Sequence, residues 1–205
     1  MNRVETLDWM VQQGIIGHSK MSGYYYLSTK RDIPSREMGK VEAEGRSRYN
    51  AVEAITSFMK DNVHLPWGKV YLKQEPYECF YDIEANNGKG FNFKMEDGNE
   101  GSFGGVTYKF EVKQREGNYT MEYFKNNPIM LNYHKVQNIN GLVICYITSD
   151  GYAMFFDAEN YDKLEHRETT KTQYDWDGTS MDTSIRAFYT LDSVFYITKL
   201  NNYGS

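Results

Sequence analysis

The chain has 205 residues, 40% of them hydrophobic and 25% charged, which suits one domain that buries a core of its own. Its net charge of −5 argues against a protein that bulk charge holds on nucleic acid or on an anionic membrane. No apolar run approaches the length of a membrane span, and MNRVETLDWMVQQ lacks the apolar centre of a signal peptide, so a cytoplasmic protein is expected.

Two helices are predicted before the first strands. ETLDWMVQQGII is typical of a short helix, and RYNAVEAITSFMKDN predicts a longer one with Asn50 as its N-cap. The apolar stripe of the longer helix consists of Val52, Ile55, Phe58 and Met59. GKVYLKQEPYECFYDIEANNGKG then predicts two strands that Pro76 separates, with Asp82 and Glu84 on one face of the second strand.

The stretch GVTYKFEVKQRE, residues 105–116, alternates apolar and polar side chains, which is the period of a half-buried strand. Its apolar face consists of Val106, Tyr108, Phe110 and Val112. Its polar face consists of Thr107, Lys109, Glu111 and Lys113. The alternation therefore places Glu111 and Lys113 side by side on one surface of the sheet.

After this strand, PIMLNYHKVQ predicts a helix that begins at Pro128 and runs to about residue 138. GLVICYI is apolar throughout, which favours a central strand buried on both faces, and YAMFFD predicts a second strand after a turn at Asp150-Gly151. Residues 162–183 are polar and rich in turn formers, so a loop or mobile flap is expected there. IRAFYTLDSVFYITKL closes the chain with more strand.

These elements predict an α+β fold with a mixed, largely antiparallel central sheet flanked by helices. We expect a single domain over residues 1–205. Residues 1–44 would be an N-terminal elaboration, residues 45–150 the core, and residues 151–205 C-terminal strands that include the polar loop at 162–183.

Asp82, Glu111 and Lys113 are the candidate catalytic residues. Mg²⁺ prefers hard oxygen ligands and keeps several waters, so two carboxylates on adjacent strands can supply half of its shell. Lys113 projects beside Glu111, where it can orient or help to deprotonate a water and stabilise charge on a phosphate. Asp82 and Glu111 are therefore candidate ligands for Mg²⁺, with Mn²⁺ as the other expected cation.

The order of elements over residues 45–150 resembles the PD-(D/E)XK nuclease superfamily, which has a restriction-endonuclease-like fold. The matching elements are a helix with Glu53, a strand with Asp82 in FYDIEA, EVK at 111–113, the segment 128–138 and GLVICYI. Two features depart from the family's pattern. Tyr81 stands where the motif has a proline, and an additional strand and a glycine-rich connection separate Asp82 from Glu111.

The resemblance implies metal-dependent hydrolysis of phosphodiester bonds, with Asp82 and Glu111 on the metal and Lys113 beside the water. DNA is the expected substrate, RNA stays open, and cutting of both strands would suit a homodimer. Glu53 would be an outer metal ligand, although its spacing from Asn50 is also that of a capping box.

Further candidates surround this set. The second acid stays open between Asp82, Glu84 and Asp97. The basic residues that could contact phosphate are Arg46, Arg48, Lys109, Arg115 and Lys135, and we expect contacts from Lys109, Arg115 and Lys135 in particular.

The alternative hypothesis is a non-catalytic binding or inhibitory module that recognises a protein or nucleic acid through a tyrosine-rich surface. The 18 tyrosines, the run GYYY at 23–26 and the acidic net charge favour it. A nuclease-like fold without activity is a third hypothesis.

Overall fold

The computed structural model describes residues 1–27, 31–65, 68–77, 79–88, 91–94, 100–103, 105–132, 141–158, 165–175, 178–201 and 203. Its helices are α1 (Arg3–Gln12), α2 (Met38–Asn62) and α3 (Met121–Asn126). Its strands are β1 (Gly17–His18), β2 (Tyr25–Tyr26), β3 (Tyr71–Gln74), β4 (Ile83–Asn86), β5 (Phe91–Lys94), β6 (Glu100–Phe103), β7 (Thr107–Gln114), β8 (Ile129–Asn132), β9 (Leu142–Ile147), β10 (Tyr152–Asp157), β11 (Glu165–Asp175), β12 (Gly178–Tyr189) and β13 (Val194–Lys199). Among the helices in these ranges, none is both long and apolar enough to cross a membrane.

A six-stranded sheet forms the centre of the fold, in the order β13-β10-β9-β7-β4-β3. The pair β7 and β9 is parallel, and the other four neighbouring pairs are antiparallel. The predicted α+β class with a mixed, largely antiparallel sheet is thus confirmed. The prediction of a central, fully buried strand in GLVICYI is confirmed as well, because every residue of β9 is buried.

Helix α2 covers one face of this sheet and begins twelve residues before Asn50, at Met38. The prediction that Asn50 caps the helix is therefore wrong, and Glu53 does not form a capping box with it. The predicted apolar face of β7 is confirmed at Phe110 and Val112, which pack in the core cluster with α2. The stripe that α2 buries extends back through Val41 and Gly45, which the sequence pattern did not include.

The segment 162–183, predicted as a loop or flap, is a β-hairpin in its described part. β11 and β12 pair continuously from Glu165 opposite Phe188 to Asp175 opposite Gly178, and the end of β12 also pairs with β8. A two-stranded ribbon needs no apolar alternation, because water can reach both of its faces. The polar sequence of this segment therefore suggested a loop, although its backbone forms strands. Residues 162–164 and 176–177 lie outside the described residues.

The predicted helix at Pro128 is a strand, β8, up to Asn132, and residues 133–138 lie outside the described residues. The helix in this region is α3, which ends before the proline. Thr120 caps its start by accepting a hydrogen bond from the Tyr123 N–H. Asn127 is extended, with φ −135° and ψ 140°, as residues before proline usually are, and this ends the helix.

Candidate functional site

Asp82 lies immediately before β4 and is 5% exposed. Its backbone N–H donates to the Phe110 carbonyl at 2.8 Å, and its Oδ2 accepts a hydrogen bond from the Val112 N–H at 2.7 Å. The paired register of β4 and β7 ends at Ile83 and Phe110, so the carboxylate satisfies a backbone donor of β7 just beyond that register. Because Val112 separates Glu111 from Lys113, this bond holds Asp82 against the E-x-K segment.

Glu111 and Lys113 form an ion pair on β7, with 2.6 Å between Lys113 Nζ and Glu111 Oε1. Glu111 is 1% exposed, whereas one third of the Lys113 side chain reaches solvent. The predicted neighbours on the polar face of the strand are therefore in direct contact. The buried carboxylate carries a charge that the lysine compensates, as buried charges require.

Arg48 of α2 provides a second cation and is fully buried. Its Nη2 lies 2.7 Å from Asp82 Oδ1 and also contacts Glu44 Oε1. Its Nη1 donates to the backbone carbonyls of Glu75 and Asp82. One guanidinium thus ties α2 to Asp82 and to the end of β3.

Glu44 is the acid that α2 brings to this cluster. Its side chain is one third exposed, and it lies one helical turn before Arg48. Burial raises the pKa of Glu44; Arg48 opposes this effect, while the negative charge of Asp82 raises the pKa further. The sequence analysis missed Glu44, and it named Arg48 only as a possible phosphate contact, not as a partner of the acids. The signal that could have found them is their spacing of four residues, had the helix been extended back beyond Asn50.

The protonation state of Lys113 limits its chemistry. Burial lowers the pKa of Lys113, but the carboxylates of Glu111, Asp82 and Glu44 outweigh it, so the pKa is raised above that of an ordinary lysine. Lys113 is consequently an ammonium ion at neutral pH. It can donate hydrogen bonds to a water or to a phosphate oxygen, but it has no lone pair with which to accept a proton.

Glu53, the predicted outer metal ligand, lies elsewhere. Its Oε1 accepts hydrogen bonds from the backbone N–H and the side-chain amide of Asn201, at 2.9 and 2.8 Å. Glu53 thereby fastens the segment after β13 to α2. Of the three candidates for the second acid, Asp82 contacts the cluster, Glu84 accepts a hydrogen bond from the Tyr81 hydroxyl, and Asp97 lies outside the described residues.

The basic residues expected to contact phosphate take separate positions. Lys109 lies over the Tyr81 ring, 5.3 Å from its centre, and faces Glu84 across the β4–β7 pair. Arg115 is exposed at the end of β7 and hydrogen-bonds the Tyr146 side chain. Lys135 lies outside the described residues.

The cluster of Glu44, Arg48, Asp82, Glu111 and Lys113 offers a divalent cation only part of the ligand set that it needs. Its donors are carboxylate oxygens, and Asp82 already engages a cation in the form of Arg48. Within the described ranges, no three acidic, histidine or cysteine side chains converge as a metal-binding group of their own. Mg²⁺ is usually held by one or two carboxylates together with water and substrate phosphate, and Asp82 and Glu111 are the carboxylates of the cluster that could take this part.

No protein-family model matches the sequence, and no match was found among curated proteins or solved structures.

Proposed function

We propose that this chain is a metal-dependent nuclease that hydrolyses phosphodiester bonds in DNA. The observation that carries the proposal is that Asp82 is bonded to the backbone of the E-x-K segment, next to the Glu111–Lys113 pair. The element order adds support: α2 with Glu44, then the strand that follows Asp82, β7, α3 and β9. This order is similar to the one on which the resemblance to PD-(D/E)XK nucleases rests, with α3 in place of the helix predicted at 128–138 and Glu44 in the position first given to Glu53.

The chemistry of the site follows from its charges. A bound Mg²⁺ would lower the pKa of a water and stabilise charge on the phosphate. Asp82 and Glu111 would hold the ion. Lys113, as an ammonium on the partly exposed side of the pair, would orient the attacking water and donate to the scissile phosphate. Ionised Glu44, whose raised pKa favours proton uptake, would accept the proton that the attacking water loses, and a proton would then pass to the leaving oxygen.

Basic side chains near the end of β7 provide the contacts proposed for the substrate. Lys113 near the end of β7 and Arg115 just after it both reach solvent, so a phosphate backbone could approach along this end of the strand. DNA is proposed as the substrate, and two copies of the chain would cut both of its strands. Lys109, stacked on Tyr81, would contact a phosphate further along.

The test compares cleavage of plasmid, linear duplex, single-stranded DNA and RNA in Mg²⁺ and in Mn²⁺. Glu111→Gln and Lys113→Met should each lower the rate by at least about 100-fold, because each removes a charge that acts on the reacting phosphate or its metal. Glu122→Gln and Lys125→Met make the same chemical changes in an exposed ion pair on α3, and should leave the rate unchanged.

Melting curves must show that the site variants stay folded. Cleavage that survives in folded Glu111→Gln and Lys113→Met would exclude the proposed active site. Cleavage that is lost only with the site variants would assign the reaction to the cluster, and the preferred substrate would then name the class of nucleic acid.

The second candidate is a nuclease-like fold that binds a partner without cutting. The specific observation in its favour is the Arg48–Asp82 ion pair, which already neutralises the proposed metal ligand. Tyrosines that such a surface could use are Tyr24, Tyr49 and Tyr71, which are exposed on three different parts of the chain. Folded wild-type protein that cuts none of the four substrates would favour this candidate.

A further inference from the structure

Arg48 is one of the largest fully buried side chains in the described part of the protein, and it is charged. A buried guanidinium is stable only when carboxylates and carbonyl oxygens surround it. Here its two terminal nitrogens contact four oxygen atoms, on Glu44, Asp82 and Glu75. Two of these four are carboxylate oxygens, and both belong to the cluster with the Glu111–Lys113 pair.

The guanidinium lies against Oδ1 of Asp82, the side from which a cation bound to that oxygen would approach. Asp82 uses Oδ2 for the Val112 N–H and Oδ1 for Arg48, so each of its oxygens already has a donor. A divalent cation that binds Asp82 on the Oδ1 side must compete with Arg48 for the same charge. Glu44, the other carboxylate near that side, is also engaged by Arg48.

The net charge of the cluster indicates that Arg48 disfavours the binding of a divalent cation. Three carboxylates and two basic groups leave the cluster with one net negative charge when all five are ionised. A divalent cation would turn this into one net positive charge, with Arg48 and the new ion close together in a buried place. Like charges at short range in a region of low polarity repel strongly. Metal and Arg48 therefore oppose each other at Asp82.

We propose that Arg48 is a built-in counter-ion that competes with divalent cations for the Asp82 carboxylate and thereby sets the metal affinity of the cluster. This inference rests on the proposed function in one respect, because the competing ion is the one a nuclease would use. It goes further in naming a positioning residue that holds Asp82 in the absence of metal and weakens the binding of the ion.

Titration of the purified protein with Mn²⁺ alone tests the proposal by calorimetry or by the electron paramagnetic resonance signal of the free ion. Arg48→Gln should lower the Mn²⁺ dissociation constant at least about tenfold relative to wild type. Arg46→Gln is the matched control, since Arg46 is on the same helix but pairs with Glu42 outside the cluster. Equal or weaker Mn²⁺ binding by folded Arg48→Gln would overturn the proposal.

Removal of Arg48 also leaves two carboxylates without their partner, so the variant has a second readout. Mn²⁺ should raise the melting temperature of Arg48→Gln more than that of wild type, because the ion replaces the missing cation. Arg48→Lys, which keeps a charge but not the fork of donors, should fall between the two. A variant that stays unfolded with Mn²⁺ as without it would also count against the proposal, because a competing ion would have restored it.

Failure of this inference and failure of the proposed function give different results. Cleavage by wild type together with unchanged Mn²⁺ affinity in Arg48→Gln would keep the nuclease and remove the role of Arg48. Tighter Mn²⁺ binding in Arg48→Gln without cleavage by any variant would keep the role of Arg48 and remove the nuclease.

Discussion

Glu44 shows how a single side chain can be held in an environment that disfavours its charge. Burial raises the pKa of its carboxyl, the ion pair with Arg48 offsets part of that effect, and the negative charge of Asp82 raises the pKa further. The pKa in the folded protein therefore lies above the value in the unfolded chain. Protonated Glu44 stabilises the fold relative to the ionised form, and this contribution is lost as the pH rises from the unfolded pKa through the raised one.

Glu44→Gln should make this contribution independent of pH. As the pH rises above the ordinary pKa of a glutamate, about 4.3, the free energy of unfolding of wild type should fall relative to that of the variant, because only wild type must ionise a buried carboxyl. Urea denaturation at several pH values measures the difference. Glu122→Gln controls for the loss of an exposed charge, and parallel curves for wild type and Glu44→Gln would contradict the prediction.

Helix α2 illustrates how one element positions both the core and the site. It packs against β4, β7, β9 and β13 and crosses α1 near its beginning. The close approach of the two helices depends on Gly45, where an added Cβ would lie 2.4 Å from Met10 Sδ and 2.8 Å from Thr6 Cγ2. Glu44 precedes this glycine and Arg48 follows it, so the helix contact lies beside the cluster.

Gly45→Ala should destabilise the protein by about 1–3 kcal/mol, because Met10 and Thr6 must move to admit the methyl group. Gly39→Ala makes the same change in the same helix with no atom within 4 Å, so it should be neutral or slightly stabilising. Guanidinium denaturation of the two variants gives the comparison. Equal stability would mean that α1 and α2 do not need the glycine.

At the level of the whole fold, one aromatic side chain joins α2 to strands that are far apart in the sequence. The Phe58 ring stacks on Phe155 of β10 at 5.1 Å and lies within 6 Å of Phe110 on β7 and Tyr196 on β13. A second link runs from Glu53 to Asn201 just after β13. Both links tie the C-terminal strand to the helix that carries Arg48.

Phe58→Ala should lower the free energy of unfolding by about 3–5 kcal/mol, because it leaves a cavity where α2 meets three strands. Phe80→Ala removes a ring that is 78% exposed and should cost less than about 0.5 kcal/mol. Chemical denaturation, followed both by tryptophan fluorescence and by circular dichroism, measures each loss. A small loss for Phe58→Ala would show that the helix and sheet hold together without this ring.

The sequence alone was sufficient for features that repeat along the chain. Alternation identified β7 and set Glu111 beside Lys113, and continuous apolarity identified β9 as a buried strand. Both patterns are local, because each depends only on the order of apolar and polar residues within one strand. The α+β class followed from the same patterns. Asp82, predicted on the strand next to β7, lies immediately before that strand, β4.

Folding in three dimensions settled the partners of those residues, because they come from distant parts of the chain. Arg48 and Asp82 are 34 residues apart, and neither alternation nor helical period relates a buried arginine to a particular carboxylate. The sequence suggested a helix start at Asn50 because asparagine is a good N-cap, so Arg48 lay before the predicted start, whereas α2 begins at Met38. Because Arg48 is buried away from water, its charge requires an opposite charge beside it, and Asp82 of the candidate site provides that charge.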